Sequence, residues 1–115
     1  MIKNNISLCT FDFTGCGNAE GEYISLGYHE WKDVEEVYKY LKTIDKVKEI
    51  GLWGRSMGAV TALRYLKVNT DIKVAIMDSP FKSLKDLIID LCKRNSKIPA
   101  FILSGALKII SSTIK

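Results

Sequence analysis

Apolar residues alternate along the chain between short continuous runs and stripes of helical spacing. Short runs predict β-strands, and apolar positions three or four residues apart predict amphipathic helices. The runs at 6–13, 49–53 and 72–77 predict strands, and the stripes predict helices at 31–41, 57–66, 84–92 and 99–110. Strands that alternate with helices are typical of an α/β fold with a parallel, doubly wound sheet and flanking helices.

The length of the chain allows one domain with two parts. Its 115 residues, of which 47% are hydrophobic, can bury a single core. We expect a βαβαβ core at 1–81 and a helical, lid-like region at 82–115, which together form a single and incomplete domain. Three parallel strands would leave both sheet edges open, so we also expect the isolated chain to self-associate.

The segment 98–114 is the most apolar part of the sequence. It is about the shortest length that could span a bilayer, but it contains Gly105 and Lys108. We therefore favour a helix that packs over the sheet or lines a lid. A peripheral membrane contact stays open as an alternative, because basic residues flank this apolar segment.

Charge and cysteine content exclude several classes of function. The net charge is +4, with seven basic and two acidic residues from Phe81 onward, which predicts a weakly basic surface and no nucleic-acid face. Cys9, Cys16 and Cys92 have no metal-ligand spacing, so we expect no metal. Their odd number, without a signal peptide, predicts reduced thiols in a cytoplasmic protein. We expect Cys9 to be a small core residue.

A glycine-rich loop follows the first predicted strand and begins like a dinucleotide-binding turn. The third glycine of that motif should fall at position 20, where this chain has Glu20. A carboxylate would repel a pyrophosphate, so we expect no nucleotide and no other cofactor. We interpret Asp12, at the end of the strand, as an acceptor of hydrogen bonds from the loop amides.

A second glycine motif, Gly54-x-Ser56-x-Gly58, connects a predicted strand to a predicted helix. A serine on a sharp strand-to-helix turn is the nucleophile elbow of an α/β-hydrolase, and the glycines allow the chain to approach itself closely. The amide of Met57 would then form half of an oxyanion hole. The alternative is a serine that only caps the helix.

The order of several motifs resembles the α/β-hydrolases, and in particular the serine aminopeptidase-like and prolyl-oligopeptidase-like serine hydrolases. The motifs are the segment 11–17, Glu20-Gly21-Glu22-Tyr23, Leu26-Gly27, the segment 51–58 and Asp78-Ser79-Pro80-Phe81. The resemblance implies that the predicted strands are the fourth to sixth of the family, with the start of the lid region after them. It also implies that the second oxyanion amide, and the triad acid and histidine that the seventh and eighth strands of the family ordinarily carry, lie outside this central fragment.

Three further residues are candidates for parts of the site. His29 is the one histidine in the sequence and precedes Ser56, whereas the family's histidine follows the serine, so we expect a surface residue. Asp78 ends a predicted strand and is a candidate triad acid, although we favour a structural role in which it bonds the elbow. Arg55 could bind a carboxylate of the substrate or form a structural ion pair.

Two functions therefore remain open. The first is a serine hydrolase that transfers an acyl group from a small-molecule or peptide ester, thioester or amide to Ser56. The second is a non-catalytic hydrolase-like module, because a serine without a base is a weak nucleophile. A peripheral membrane protein is a weaker third.

Overall fold

The computed structural model describes residues 5–94 and Lys108. The chain divides into two compact units, residues 1–79 and residues 80–115. The elements are α1 (Trp31–Lys42), β1 (Gly51–Arg55), α2 (Met57–Tyr65), β2 (Val74–Asp78) and α3 (Leu84–Arg94). The helix predictions at 31–41, 57–66 and 84–92 are confirmed to within two residues, and the strands predicted at 49–53 and 72–77 each begin two residues later than predicted.

The sheet of the first unit is a parallel pair. β1 lies beside β2 in a register that runs from Gly51 opposite Val74 to Arg55 opposite Asp78. α2 connects the two strands, because parallel neighbours need a crossover to return the chain to the same end of the sheet. The result is a small α/β fold, as the alternation of patterns predicts.

The prediction of a strand at 6–13 is wrong. This segment has no regular secondary structure and lies outside the sheet, which has two strands in the described residues. Its one backbone hydrogen bond there runs from the Cys16 amide to the Phe13 carbonyl (2.8 Å). A groove of 240 Å³ is instead lined by Cys9, Thr10, Phe11 and Phe13 of this segment together with residues of β1. A segment forms a strand only when a neighbouring strand pairs with its amides and carbonyls, and none does so here. Cys9 is accordingly exposed, and its assignment to the core is also wrong.

The core of the first unit forms around α2. Ala59, Thr61, Ala62 and Tyr65 of this helix are buried, and Val34 of α1 is buried as well. The Tyr65 hydroxyl accepts a hydrogen bond from Asn69 Nδ2 (2.7 Å), which satisfies the polar end of this ring. α2 thus carries most of the packing that fixes the end of β1.

The two faces of the sheet differ in how far they are covered. Gly54 is buried, and Leu52, Ala75 and Met77 on the same face are half-buried. On the other face Trp53 is 63% exposed, with Val74 and Ile76 also exposed. Both faces of a parallel sheet are ordinarily covered, so the Trp53 face is an apolar surface open to a further layer.

The second unit contains α3, and Ser83 precedes it. The Ser83 hydroxyl accepts a hydrogen bond from the Asp86 amide (3.1 Å), as expected at a helix N-terminus. The helix predicted at 99–110 and the apolar segment 98–114 lie outside the described residues, apart from Lys108. In the described part of the chain, no helix has the length and apolar character needed to cross a membrane.

Candidate active site at the turn between β1 and α2

Ser56 occupies the sharp turn between the end of β1 and the first residue of α2. Its backbone has φ 52° and ψ −114°, which lies outside every region that L-residues ordinarily populate. The residue is exposed, and its side chain makes no capping hydrogen bond to the helix. The interpretation of Ser56 as a helix cap is therefore excluded, although it occupies the N-cap position.

Gly54 allows the strand and the helix to meet at this turn. A Cβ on Gly54 would overlap the carbonyl of Gly58 and lie 2.6 Å from the Ala59 amide nitrogen. These are backbone atoms, so they could not rotate away as a side chain could. Gly58 is different, because a Cβ there would meet no atom within 4 Å. The steric requirement for glycine thus holds at Gly54 and not at Gly58.

Backbone hydrogen bonds hold Ser56 on three sides. Its amide donates to the Asp78 carbonyl at the end of β2 (2.9 Å), and its carbonyl accepts from Ala59 and Val60 (3.1 Å each). The amide of Met57, the first of α2, has no helical carbonyl within reach. It is therefore available to an anion beside Ser56, where the positive end of the helix dipole also acts.

Asp78 and Arg55 form a cross-strand pair at the carboxyl ends of the two strands. Arg55 Nε lies 3.5 Å from Asp78 Oδ2, and the Ser79 hydroxyl donates to Asp78 Oδ1 (2.7 Å). The side chains of Arg55 and Asp78 are 82% and 50% exposed, so solvent screens the pair. The structural ion pair considered for Arg55 is present, and the Asp78 backbone bonds the elbow as the structural alternative expects.

His29 is not brought to Ser56. Its ring packs edge-on against Tyr28 with centroids 4.7 Å apart, and its amide donates to Ser25 Oγ (2.6 Å). It lines a groove of 350 Å³ together with residues of the glycine-rich loop and of α1, and Ser56 is not among the lining residues. His29 is thus the exposed residue near a helix start that the sequence predicts.

The glycine-rich loop is closed by carboxylates. The Asn18 amide donates to Asp12 Oδ2 (3.0 Å), which confirms the structural role predicted for Asp12. Asp33 of α1 accepts from the amide and the hydroxyl of Thr14 (2.8 and 3.0 Å). Among the residues that the structure describes, no three histidine, cysteine, aspartate or glutamate side chains form a cluster suited to a metal.

Glu30 is the one buried carboxylate in the described residues, and it is not among the residues predicted from the sequence. It is 3% exposed, and it accepts hydrogen bonds from the amide and hydroxyl of Ser25 and from the Gly27 amide. Burial alone would raise the pKa of this carboxyl, but the hydrogen bonds from Ser25 and Gly27 outweigh it and hold the pKa below its ordinary value. The spacing Ser25-x-Gly27-x-x-Glu30 is the signal that could have revealed this loop.

Comparison with known families gives one match, and it extends along most of the chain. A family model described as serine aminopeptidase, S33, matches residues 1–112. No match was found among curated proteins or among solved structures. The family match covers nearly the whole chain and includes the β1–Ser56–α2 turn, both strands and α1. The chain therefore belongs to the serine aminopeptidase (S33) family of α/β-hydrolases.

Proposed function

We propose that this chain carries the nucleophile of a serine hydrolase and that Ser56 is that nucleophile. The observation that supports this most is the conformation of Ser56. Its backbone is strained, its side chain is exposed, and its hydroxyl makes no bond to the helix that it precedes. Strained residues of this kind persist where the surrounding structure holds them, and they concentrate at functional sites.

The reaction that fits this turn is acyl transfer. Ser56 Oγ would attack the carbonyl carbon of an ester, thioester or amide and form a tetrahedral oxyanion. The Met57 amide would donate a hydrogen bond to that oxyanion, because it lies directly after the nucleophile at the start of α2. Collapse of the intermediate would expel the alcohol, thiol or amine and leave an acyl-serine, which water would then hydrolyse.

A base must take the proton of the Ser56 hydroxyl before the oxygen can attack, and this requirement limits the rate of acyl transfer by these residues alone. No histidine follows Ser56 in the sequence, and His29 lines a different groove. A serine hydroxyl without a base is a poor nucleophile at neutral pH. We therefore propose that these 115 residues bind and present the nucleophile but do not turn over substrate rapidly without a base from elsewhere.

Asp78 remains a candidate for the acid, but its contacts favour a holding role. Both oxygens of its carboxylate already have partners, Arg55 Nε and the Ser79 hydroxyl. An acid that orients a histidine would have to exchange one of these for the imidazole N–H. The pair is exposed, so such an exchange is inexpensive.

A non-catalytic hydrolase-like module is the second candidate, because His29 lines a groove that does not include Ser56 and a serine without a base is a weak nucleophile. Such a module would use the groove beside β1 or the exposed Trp53 face to bind a ligand or a second copy of the chain.

The free thiols of Cys9 and Cys16 fit a reducing compartment, and we propose on that ground that this protein is cytoplasmic.

Reaction with a fluorophosphonate separates these candidates. The hydrolase proposal expects slow covalent labelling of the folded 115-residue chain at high probe concentration, because a serine without a base is a weak nucleophile. It also expects loss of labelling in Ser56→Ala and an unchanged labelling rate in Ser83→Ala. Ser83 is the matched control because it too precedes a helix, but its hydroxyl is engaged as a cap. A folded chain that is not labelled, or that is labelled equally in Ser56→Ala, would favour the non-catalytic module.

A further inference from the structure

The buried carboxylate of Glu30 has no part in the reaction proposed above. It precedes α1, and it gathers donors from the short loop before that helix. The Gly27 amide donates to Glu30 Oε2 (2.8 Å), and Ser25 donates to the carboxylate through both its amide and its hydroxyl. Hydrogen bonds to an ionised acceptor are stronger than neutral ones, so these bonds fix the loop firmly. We call residues 25–30 the Glu30 loop.

The Glu30 loop packs directly against α2. Gly27 is buried and has φ 97°, a conformation that favours glycine. A Cβ at this position would lie 2.7 Å from Val60 Cγ1 and 3.4 Å from the Thr61 amide nitrogen. Because Gly27 has no side chain, the backbone of the loop can contact α2 directly at this position. Leu26, with φ 53°, shares the unusual conformation of the loop.

The helix residues that meet Gly27 also hold the elbow. The Val60 amide donates to the Ser56 carbonyl (3.1 Å). The Thr61 hydroxyl, which is fully buried, donates to the Met57 carbonyl (2.9 Å). Through Val60 and Thr61, the Glu30 loop is therefore one contact away from the residue that presents the hydroxyl and from the residue that presents the oxyanion amide.

We propose that Glu30 is a positioning residue for the elbow. Its carboxylate holds Gly27 against Val60 and Thr61, and this contact fixes the first turn of α2 in the orientation that sets Ser56 and the Met57 amide. Glu30 touches neither substrate nor nucleophile. The consequence for reactivity rests on the proposed function, whereas the consequence for the geometry of α2 does not.

Amide hydrogen exchange on the 115-residue chain tests the geometric step. The variants are Glu30→Gln, which removes the charge, and Ser25→Ala, which removes one neutral donor to Glu30 together with the acceptor of the His29 amide. The control is Glu36→Gln on the exposed face of α1, where the carboxylate pairs with Lys39 (2.9 Å). The readouts are the Ala59 and Val60 amides, which bond Ser56, and the Leu66 amide at the other end of α2, which bonds Ala62.

We expect Glu30→Gln to speed exchange of the Ala59 and Val60 amides about tenfold relative to Leu66, with a smaller effect in Ser25→Ala and none in Glu36→Gln. The fluorophosphonate labelling rate of Ser56 should fall in the same order of variants. A merely structural role would speed exchange of all these amides together, and that result would overturn the proposal. Unchanged exchange at Ala59 and Val60 would overturn it as well.

The two proposals fail in different ways. If the wild-type chain is not labelled while exchange follows the expected order, the nucleophile assignment fails and the positioning of α2 by Glu30 stands. If Ser56 is labelled at the same rate in Glu30→Gln and wild type, the positioning role is overturned and the nucleophile assignment stands. If Glu30→Gln does not fold, the exchange and labelling rates of Ser25→Ala are compared with those of wild type instead. Ser25→Ala is the milder change, because the Glu30 carboxylate and its hydrogen bond from the Gly27 amide remain.

Discussion

Ser56 and Ser83 each stand directly before a helix, but their hydroxyls are used differently. Ser83 accepts a hydrogen bond from the Asp86 amide (3.1 Å) and donates to the Asp86 carboxylate (2.8 Å), so both functions of its hydroxyl serve the start of α3. Ser56 makes no such bond, and its backbone takes φ 52° and ψ −114°. One serine stabilises its helix, and the other is held in a strained conformation by its surroundings.

The difference shows what the fold contributes at each position. A capping serine stabilises a protein by about 1 kcal/mol, whereas a strained residue costs about 1–3 kcal/mol. At Ser56 this cost is offset by the close approach at Gly54, by the bond from the Ser56 amide to the Asp78 carbonyl, and by the packing of α2. The Ser56 hydroxyl, unlike that of Ser83, makes no hydrogen bond to the helix that follows it.

Gly54→Ala should break the elbow and have the largest effect. The new Cβ would overlap the Gly58 carbonyl, so β1 and α2 must separate, and we expect the free energy of unfolding to fall by about 3 kcal/mol with loss of labelling at Ser56. Gly58→Ala is the matched control. It meets no atom within 4 Å and should stabilise α2 by about 1 kcal/mol through helix propensity. Urea unfolding of both variants measures this, and equal losses would contradict the account.

Acid should weaken the first unit through Glu30. The hydrogen bonds from Ser25 and Gly27 lower the pKa of this carboxyl in the folded state. Its contribution to the free energy of unfolding is therefore complete above the ordinary pKa of glutamate. It is lost as the pH falls through the lowered folded-state pKa. At neutral pH we expect Glu30→Gln to reduce the free energy of unfolding by about 2 kcal/mol. Urea unfolding across the acid range should show this difference shrink as pH falls, and a constant difference would argue against it.

Alanine at Ser56 and alanine at Ser83 should have opposite effects: one should abolish labelling and keep stability, and the other should lower stability and keep labelling. Ser83→Ala removes a cap and should destabilise α3 by about 1 kcal/mol without slowing phosphonate labelling. Ser56→Ala removes no hydrogen bond of the fold and should leave the free energy of unfolding within about 0.5 kcal/mol while it abolishes labelling. Thermal unfolding and labelled-peptide mapping check both. Destabilisation by Ser56→Ala equal to that by Ser83→Ala would show that the Ser56 hydroxyl has a structural role.

The Arg55–Asp78 pair should have the smallest effect on stability. Both side chains are largely exposed, so Arg55→Ala and Asp78→Asn should each change the free energy of unfolding by less than about 1 kcal/mol, and added salt should remove the difference. The Ser56–Asp78 backbone bond persists in both variants. A loss of several kcal/mol in urea unfolding would mean that the carboxylate is a major support of the elbow.

Patterning was sufficient for the parts of the chain that pack locally. The apolar stripe of α1 and the Gly54-x-Ser56-x-Gly58 turn predicted the helices and the elbow, because helical spacing and glycine at a close approach are local properties. The run at 6–13 was different. Its sequence is compatible with a strand, but a strand also needs a neighbour, and this information does not lie in the run itself.

The residue proposed to position the elbow, Glu30, was also harder to predict from the sequence than Ser56 itself. Ser56 belongs to a recognisable motif, whereas Glu30 is a charged residue at a helix start that sequence reasoning places on the surface. Its burial follows from the contact between Gly27 and α2, which are distant in sequence. Asp78 was similarly hard to interpret from the sequence. Its position at a strand end makes it a candidate triad acid, whereas its carboxylate contacts Arg55 and Ser79.

The central claim is that Ser56 is held in a costly conformation for the sake of its hydroxyl, and Ser56→Gly tests it most directly. The values φ 52° and ψ −114° mirror a turn conformation that L-residues adopt readily, so glycine can occupy them without strain. We predict that urea unfolding of Ser56→Gly gives a free energy of unfolding about 1 kcal/mol higher than wild type. A free energy of unfolding below that of wild type would contradict the account.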